Sequence, residues 1–310
     1  MGKSWDKSGI AFSQNLWKEV LRVLTPGSYL LAFGGTRTYH RMTCAIEDAG
    51  FEVRDCLMWM YGTGFPKSKS CLKPSYEPIV LARKPGKAVL PLNIDGCRIG
   101  TELRENPTMG HSGLYEGGWK GSPNKGSYGG LTLDSSEPRP VVGRWPANTI
   151  LDESFTEDWC RYYYCPKASR SERDAGCASI PKKPGGVGAL RDGVRDSLPV
   201  RPGGSTAKGF TKDVARGIDR NRPVLNYHPT VKPLSLTEHL AKLILPQPSP
   251  DRQRRLLVPF SGSGSEMIGG IRAGWDEVEG IELSSEYAAI AEARLGYWKS
   301  GQSVKAGEMS

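Results

Sequence analysis

The stretch that decides the fold reads Val258-Pro259-Phe260-Ser261-Gly262-Ser263-Gly264-Ser265. It follows a short apolar run, Arg255 to Val258, which is typical of a buried parallel strand, and it leads into a helical pattern from Ser265 to Ala273. Gly262 and Gly264 can adopt positive φ angles and let a ligand approach the backbone closely. A strand, a glycine loop and a helix in this order predict a ligand site at the carboxyl edge of an open α/β sheet.

A carboxylate follows this loop at a meaningful distance. A second strand is predicted from Val278 to Glu282, and Glu282 stands twenty positions after Gly262. A carboxylate there can accept hydrogen bonds from both ribose hydroxyls of an adenosine moiety. A dinucleotide fingerprint needs a third glycine where this chain has Met267, so the pattern favours an adenosine-bearing cofactor other than NAD. On spacing alone, a plain strand-to-helix turn stays open as the alternative.

Two segments of the chain, residues 1–84 and 224–298, alternate helix and strand patterns, which predicts an α/β fold. In the first, helices are expected from about Leu16 to Leu24 and from Thr36 to Ala49, with strands at Tyr29–Phe33, Phe51–Tyr61 and Glu77–Arg83. In the second, helices are expected at Val231–Leu245 and Ser284–Trp298, and residues 299–310 form a flexible tail.

The middle segment, residues 85–223, is dense in glycine and proline and shows little periodicity. Only Arg144–Leu151 and Trp159–Lys167 resemble ordered elements, so the segment is interpreted as a loop-rich inserted module. The chain carries a net charge of +9, and residues 160–222 hold fourteen lysines and arginines against six acids. Such a stretch attracts polyanions, nucleic acid above all. A solvated, flexible loop region is an equally open interpretation.

Composition narrows the class of protein. With 38% hydrophobic and 24% charged residues, the sequence reads as soluble and globular. No apolar run approaches the roughly 20 residues of a membrane helix, and no signal peptide is evident. The seven scattered cysteines favour a reducing compartment, and we expect a cytoplasmic protein. Cys160, Cys165 and Cys177 lack a clear fourth ligand, so no metal site is predicted.

A second motif reads Asn226-Tyr227-His228-Pro229-Thr230-Val231-Lys232-Pro233. Its two prolines stiffen the start of the following helix. Taken alone, His228 fits a structural role better than a catalytic one.

Together these motifs resemble the permuted (beta-group) S-adenosylmethionine-dependent DNA N6-adenine and N4-cytosine methyltransferases. In that family the catalytic half comes first, the target-recognition module second and the cofactor half last, and the three segments here follow that order. Residues 31–37 and 54–59 resemble strands of the catalytic half. Residues 144–148 and 164–169 resemble phage and prophage members. The resemblance implies a Rossmann-like methyltransferase sheet with helices on both faces.

The resemblance also implies a cofactor and its site. S-adenosyl-L-methionine would lie with its ribose on Glu282. The residues expected to hold its methionine end are Pro259, Phe260, Ser261, Gly262, Ser263 and Gly264, with Thr230, Lys232 and Pro233 lining the pocket from the other side. Val258 stands where the family usually has an acid, so one expected polar contact is missing.

A larger departure concerns catalysis. The family's Asp/Asn/Ser-Pro-Pro-aromatic segment, which holds the target amino group and stacks on the flipped base, does not occur in the 310 residues. In relatives, a segment like residues 2–6 follows shortly after that motif. We therefore expect an N-terminal truncation upstream of Met1, no catalytic residue in this chain, and a sheet that lacks one central strand.

The predicted function is site-specific methylation of an exocyclic amino group in double-stranded DNA, as in restriction-modification. Adenine N6 is favoured over cytosine N4 because it is the commoner target in the family. The expected DNA contacts are Arg37, Arg161, Lys167, Arg170 and Arg173. Two alternatives stay open: a catalytically dead remnant that binds cofactor or DNA, and an RNA methyltransferase. The oligomeric state cannot be predicted from the sequence.

Overall fold

The computed structural model describes residues 8–62, 64, 69–87, 90–105, 140–164, 170–184 and 223–307. Its α-helices are α1 (Gln14–Val23), α2 (Tyr39–Asp48), α3 (Arg170–Asp174), α4 (Leu234–Leu243), α5 (Ser265–Ala273) and α6 (Ser285–Gly307). Its strands are β1 (Tyr29–Phe33), β2 (Glu52–Met60), β3 (Tyr76–Arg83), β4 (Ile99–Glu105), β5 (Pro140–Arg144), β6 (Thr149–Leu151), β7 (Lys183–Pro184), β8 (Pro223–Val224), β9 (Arg255–Val258) and β10 (Glu277–Gly280). Short 3-10 helices lie at Ile10–Phe12, Asp95–Cys97, Asp158–Tyr162 and Cys177–Ser179. In these ranges no helix is both long and apolar enough to cross a membrane.

The larger sheet has the strand order β1-β3-β2-β6. The central strand, β3, runs antiparallel to both β1 and β2, and β2 runs parallel to β6. The pairing places Leu81 opposite Leu31 on one side and Asp55 on the other. Of the eight residues of β3, the last six are buried, which is expected for a strand with a neighbour on each side.

Side chains alternate between the two faces of this sheet, and each face is covered by helices. Val80 and Ala82 belong to a core shared with α1 and α2, in which Ile46 is fully buried. Ile79 and Leu81 point to a second core that includes residues of α4. The structure therefore confirms an α/β fold with helices on both faces.

A second, smaller sheet consists of β9 and β10, which run parallel. Helix α5 packs against both strands and also against α4, so α4 and α5 link the two sheets. Within the described residues no strand joins β1 to β9. The loss of a central strand through truncation stays a prediction.

The described parts of residues 85–223 hold more regular structure than the sequence predicts. The additional elements are strand β4, which pairs antiparallel with β5, the short helix α3, and β7, which pairs with β8. The alternation of apolar and polar residues in these strands is short, and glycines lie close by, so the sequence pattern did not predict them. The boundaries of the inserted module stay a prediction.

Some element boundaries also differ from the sequence prediction. Helix α4 begins at Leu234 rather than Val231, because Pro233 disfavours helical backbone angles at the residue before it. Helix α2 begins at Tyr39 rather than Thr36. Strand β10 ends at Gly280, two residues before Glu282.

Candidate cofactor site

The glycine loop lies where β9 ends and α5 begins. Gly262 and Gly264 have φ angles of 53° and 76°, which residues with a Cβ rarely adopt. The backbone N–H of Ser261 donates to the Ile281 carbonyl at 3.0 Å, and that of Ile281 donates to the Val258 carbonyl at 3.0 Å. These bonds hold the loop against the end of β10. The two motifs of the sequence prediction, the loop and the Glu282 strand, therefore lie side by side.

The Glu282 carboxylate is fixed by two backbone amides. The N–H of Gly262 donates to Oε2 at 2.8 Å, and the N–H of Ser284 donates to Oε1 at 2.9 Å. Each carboxylate oxygen can accept more than one hydrogen bond, so both can still accept from a ligand. The neighbouring side chains of Ile281 and Leu283 are exposed, Leu283 by 95%. The acid thus has an exposed apolar surface on either side of it along the chain.

His228 lies against the glycine loop. A Cβ added at Gly262 would lie 2.8 Å from His228 Nε2, so the imidazole packs against the bare backbone. The N–H of Thr230 donates to His228 Nδ1 at 3.3 Å, which leaves the proton on Nε2. Burial lowers the pKa of His228 to about 4, so the ring is neutral at pH 7. It packs edge-on against Tyr287 with 4.6 Å between ring centroids. These contacts support a structural role.

The segment that carries His228 is held by the short helix α3. The guanidinium of Arg173 donates from Nε and Nη2 to the Asn226 carbonyl at 3.1 Å each. The fully buried Asn226 side chain donates back to the Arg173 carbonyl at 2.9 Å and accepts from the His228 N–H at 3.2 Å. Arg173, which the sequence predicts as a DNA contact, therefore binds the chain's own backbone beside the cofactor loop. Its contact with DNA stays a prediction.

Arg294 on α6 is a residue that sequence reasoning missed. Its side chain is fully buried, and Nη1 donates to the Ser263 carbonyl at 2.6 Å, to Ser263 Oγ at 3.1 Å and to Ser265 Oγ at 3.0 Å. Desolvation lowers its pKa from the ordinary arginine value. The sequence sign was faint: Arg294 follows the buried Ile290 by four positions and so falls on the apolar stripe of the helix.

Lys232 joins the two halves of the molecule. Its ammonium forms an ion pair with Glu77 at the start of β3. Its Nζ also lies 4.7 Å from the ring centroid of Phe33 and 5.4 Å from that of Trp59. The three partners come from the ends of three strands of the larger sheet. Lys232 therefore connects the cofactor motif to that sheet, and the neighbouring Thr230 and Pro233 are half-buried beside it.

A separate surface combines basic and aromatic side chains. The guanidinium carbons of Arg144 and Arg161 lie 4.3 Å and 5.1 Å from the ring centroid of Tyr162. The guanidinium of Arg98 lies 5.6 Å from the ring of Trp145, which is 60% exposed. We call these five residues the basic-aromatic surface. The Arg98 side chain is 11% exposed and forms an ion pair with Asp95, and Arg144 forms one with Glu102.

The remaining predicted DNA contacts are less defined. Arg37 is exposed in the turn that follows β1. Arg170 is the first residue of α3, and Lys167 lies outside the described residues. The structure does not bring Arg37, Arg161 and Arg173 into one cluster through any contact among the described side chains.

Comparison with known proteins identifies the family. A family model for N6/N4 methyltransferases, described as DNA methylase, matches residues 5–293. The chain therefore belongs to the N6/N4 DNA methylase family and is by membership a DNA amino-methyltransferase. No curated protein sequence matches the chain at a significant level.

Several solved structures are similar to this one. The complex of M1.HpyAVI with S-adenosylmethionine is 16% identical, with a TM-score of 0.40, covering 91% of this chain and 81% of that one. The TTHA0409 putative DNA modification methylase from Thermus thermophilus, also complexed with S-adenosylmethionine, is 16% identical with a TM-score of 0.39, covering 92% and 75%. The cytosine-N4-specific PvuII DNA methyltransferase is 11% identical with a TM-score of 0.42, covering 95% and 74%.

Proposed function

We propose that this chain binds S-adenosyl-L-methionine at the loop between β9 and α5 and methylates an exocyclic amino group of a DNA base. The observation that carries the proposal is the Glu282 carboxylate, fixed by the Gly262 amide at the carboxyl edge of two parallel strands. That edge is where open α/β sheets bind nucleotide-like ligands. Family membership supports this reaction, and the position of Glu282 beside the glycine loop supports this cofactor site.

The described residues fit an adenosyl amino acid. Glu282 can accept both ribose hydroxyls, and the exposed Phe260, Ile281 and Leu283 offer apolar contacts for an adenine ring. At Gly262 the missing side chain lets the His228 imidazole pack directly on the loop backbone, so this ring forms part of the proposed site. The methionyl end would then extend along Ser261, Ser263 and Gly264 toward Thr230, Lys232 and Pro233.

The bound cofactor supplies an electrophilic methyl group. The residues of this chain orient it, and the neutral His228 ring packs on the loop backbone at Gly262. The target base must leave the duplex stack before its amino nitrogen can reach that methyl group. Since the 310 residues contain no Asp/Asn/Ser-Pro-Pro-aromatic segment, we assign no side chain to hold the amino nitrogen.

The basic-aromatic surface supports DNA as the partner. Guanidinium groups bind phosphates, and exposed aromatic rings stack on bases. We propose that Arg144 and Arg161 contact the DNA backbone, together with Arg37, Lys167, Arg170 and Arg173. Each additional phosphate contact should make the affinity for DNA fall more steeply as the salt concentration rises.

Finer points of the proposal follow from the resemblance. We propose the permuted order of halves, a phage or prophage origin, a role in restriction-modification and a cytoplasmic location. Adenine N6 is proposed over cytosine N4 because it is the commoner target in the family.

A second candidate is a protein that binds cofactor or DNA without methyl transfer. The absence of the Pro-Pro segment from the sequence favours it. An RNA substrate is a third possibility, since the basic-aromatic surface suits either nucleic acid.

Methyl transfer and cofactor binding should be measured separately on the purified chain. Unmethylated DNA is incubated with S-adenosylmethionine that carries a deuterated methyl group, and the digested nucleosides are identified by mass spectrometry. In parallel, titration calorimetry measures binding of S-adenosylhomocysteine to the wild type and to Glu282→Ala. The control variant is Glu279→Ala, since Glu279 is an exposed acid on β10 outside the loop.

The outcomes separate the candidates. Deuterated N6-methyladenine supports the proposal, whereas N4-methylcytosine changes the base. Cofactor binding that Glu282→Ala abolishes, without any methylated nucleoside, favours the binding protein. Preferential labelling of RNA in a competition with DNA favours the third candidate. If the wild type does not bind S-adenosylhomocysteine, the proposed cofactor site is wrong.

A further inference from the structure

Most charged groups near the cofactor loop have a partner. Lys232 is paired with Glu77, and Arg294 donates to the oxygens of Ser263 and Ser265. Glu282 accepts from two backbone amides. A charged group in such a partly desolvated place is stable only when it is compensated, so the exceptions are informative.

Among the residues that the structure describes, Glu266 is an exception. It is the second residue of α5 and follows the loop directly. Its carboxylate forms no ion pair within 4 Å with any of the described side chains. Burial raises the pKa of the Glu266 carboxyl, although Lys232 and Arg294 act in the opposite direction. The residue as a whole is half-buried, so part of it faces solvent.

The position of Glu266 along the loop indicates what it meets. Glu282 contacts the glycine loop at Gly262. Glu266 lies just beyond the carboxyl end of the same loop, where α5 starts. A ligand with its ribose on Glu282 and its body along the loop would therefore bring its far end to Glu266. The first residue of the loop, Val258, is uncharged and therefore cannot form an ion pair with the far end of the ligand.

We propose that Glu266 binds the α-ammonium group of the methionyl end of the methyl donor. The proposal rests on the proposed function, since it assumes an S-adenosyl amino acid in this loop. An ammonium group supplies up to three donors and the opposite charge, which suits a carboxylate without an ion pair. Glu266 then acts in positioning the donor and takes no part in the transfer itself.

The test compares two ligands that differ only in the amino group. Titration calorimetry measures binding of S-adenosylhomocysteine and of its deaminated analogue, in which hydrogen replaces the α-amino group. S-adenosylhomocysteine has no sulfonium charge, so the comparison isolates the ammonium. We expect the wild type to bind it about 10-fold or more tightly than the analogue, as for a charge-assisted hydrogen bond.

Variants then locate the effect. Glu266→Gln keeps the side-chain shape and removes the charge, so it should weaken S-adenosylhomocysteine binding about 10-fold and leave the analogue within about two-fold. The matched control is Glu279→Gln, which removes the same charge from an exposed site and should change neither affinity. Thermal melting checks that each variant folds, and Glu266→Thr replaces Glu266→Gln if the latter does not.

Two results would overturn the proposal. One is a wild type that binds both ligands equally well, and the other is a Glu266 variant that discriminates between them as the wild type does. Failure of the proposed function looks different, because the wild type would then bind neither ligand.

Discussion

Arg294 offers the most direct test of how the cofactor loop is held. Its guanidinium is fully buried and connects α6 to Ser263 in the loop, to Ser265 at the start of α5 and, through Nη2 at 3.3 Å, to the Glu172 carbonyl on α3. Replacing it by methionine preserves much of the volume and removes every donor. The carbonyls of Ser263 and Glu172 then lose a donor inside the protein.

The size of the effect follows from these bonds. The buried Ser263 carbonyl left without a donor costs about 1–3 kcal/mol, and the part-buried Glu172 carbonyl adds a smaller cost, so the sum is roughly 2–4 kcal/mol. The methionine avoids the desolvation that lowers the arginine pKa, and the buried Nε of Arg294 has no partner to lose. We therefore expect Arg294→Met to lower the free energy of unfolding by about 3 kcal/mol. Arg294→Lys, which keeps the charge and some donors, should lose less.

Urea denaturation followed by circular dichroism measures this change, and calorimetry with S-adenosylhomocysteine reports on the loop. The matched control is Arg255→Met, because Arg255 forms its ion pairs with Glu277 and Glu279 at a side chain that is 62% exposed. That control should cost less than about 1 kcal/mol. A loss below about 1 kcal/mol for Arg294→Met, or one no larger than the control's, would refute the reasoning.

Three further outcomes are expected. Asn226→Ala should lower the free energy of unfolding by about 2–3 kcal/mol in urea denaturation, because it removes two hydrogen bonds of a fully buried side chain; a loss near zero would contradict this. Gly262→Ala should weaken S-adenosylhomocysteine binding about 10-fold or more in calorimetry, since the new methyl group would lie 2.8 Å from His228 Nε2 and the φ of 53° costs about 1–2 kcal/mol. Gly274→Ala is the control, with open space around a Cβ and the same unfavourable sign of φ, and it should leave that affinity unchanged. Burial lowers the pKa of His239 to about 4. The unfolded chain therefore takes up this proton first, and stability should fall as the pH drops from about 6.5 toward 4, by up to about 1.4 kcal/mol per pH unit. In His239→Phe, the free energy of unfolding should fall less steeply with pH across that range. An unchanged slope would contradict the assignment of this pH dependence to His239.

The sequence predicted the elements that depend on local chemistry. Strands β1 and β9 and helix α5 have the predicted bounds, because a short apolar run or a glycine next to a helical pattern carries its own signal. The sequence also predicted Glu282 at the end of the strand that follows the loop, whereas its hydrogen bond from the Gly262 amide is a finding of the structure. Helix α6 runs on to Gly307, beyond the predicted end at Trp298, although Lys299, Ser300 and Gly301 follow directly and Gly301 usually favours a helix end.

Long-range contacts could not be predicted in this way. The ion pair of Lys232 with Glu77 joins residues 155 positions apart, and no local pattern encodes such a pairing. The same holds for Arg173, whose charge indicates a nucleic-acid contact in the sequence but whose guanidinium binds the Asn226 carbonyl in the fold.

By itself, then, the sequence determined the α/β alternation, the glycine loop and the acid twenty residues after it, because backbone propensity and hydrophobic period act over a few residues. Only the tertiary structure decided which charges are compensated. Arg294 and Glu266 are ordinary surface residue types in the sequence, and they become a buried clamp and an unpaired carboxylate only where α5 and α6 pack around the loop. The cost of desolvating a charge depends on every neighbour that excludes water, and those neighbours come from distant parts of the chain.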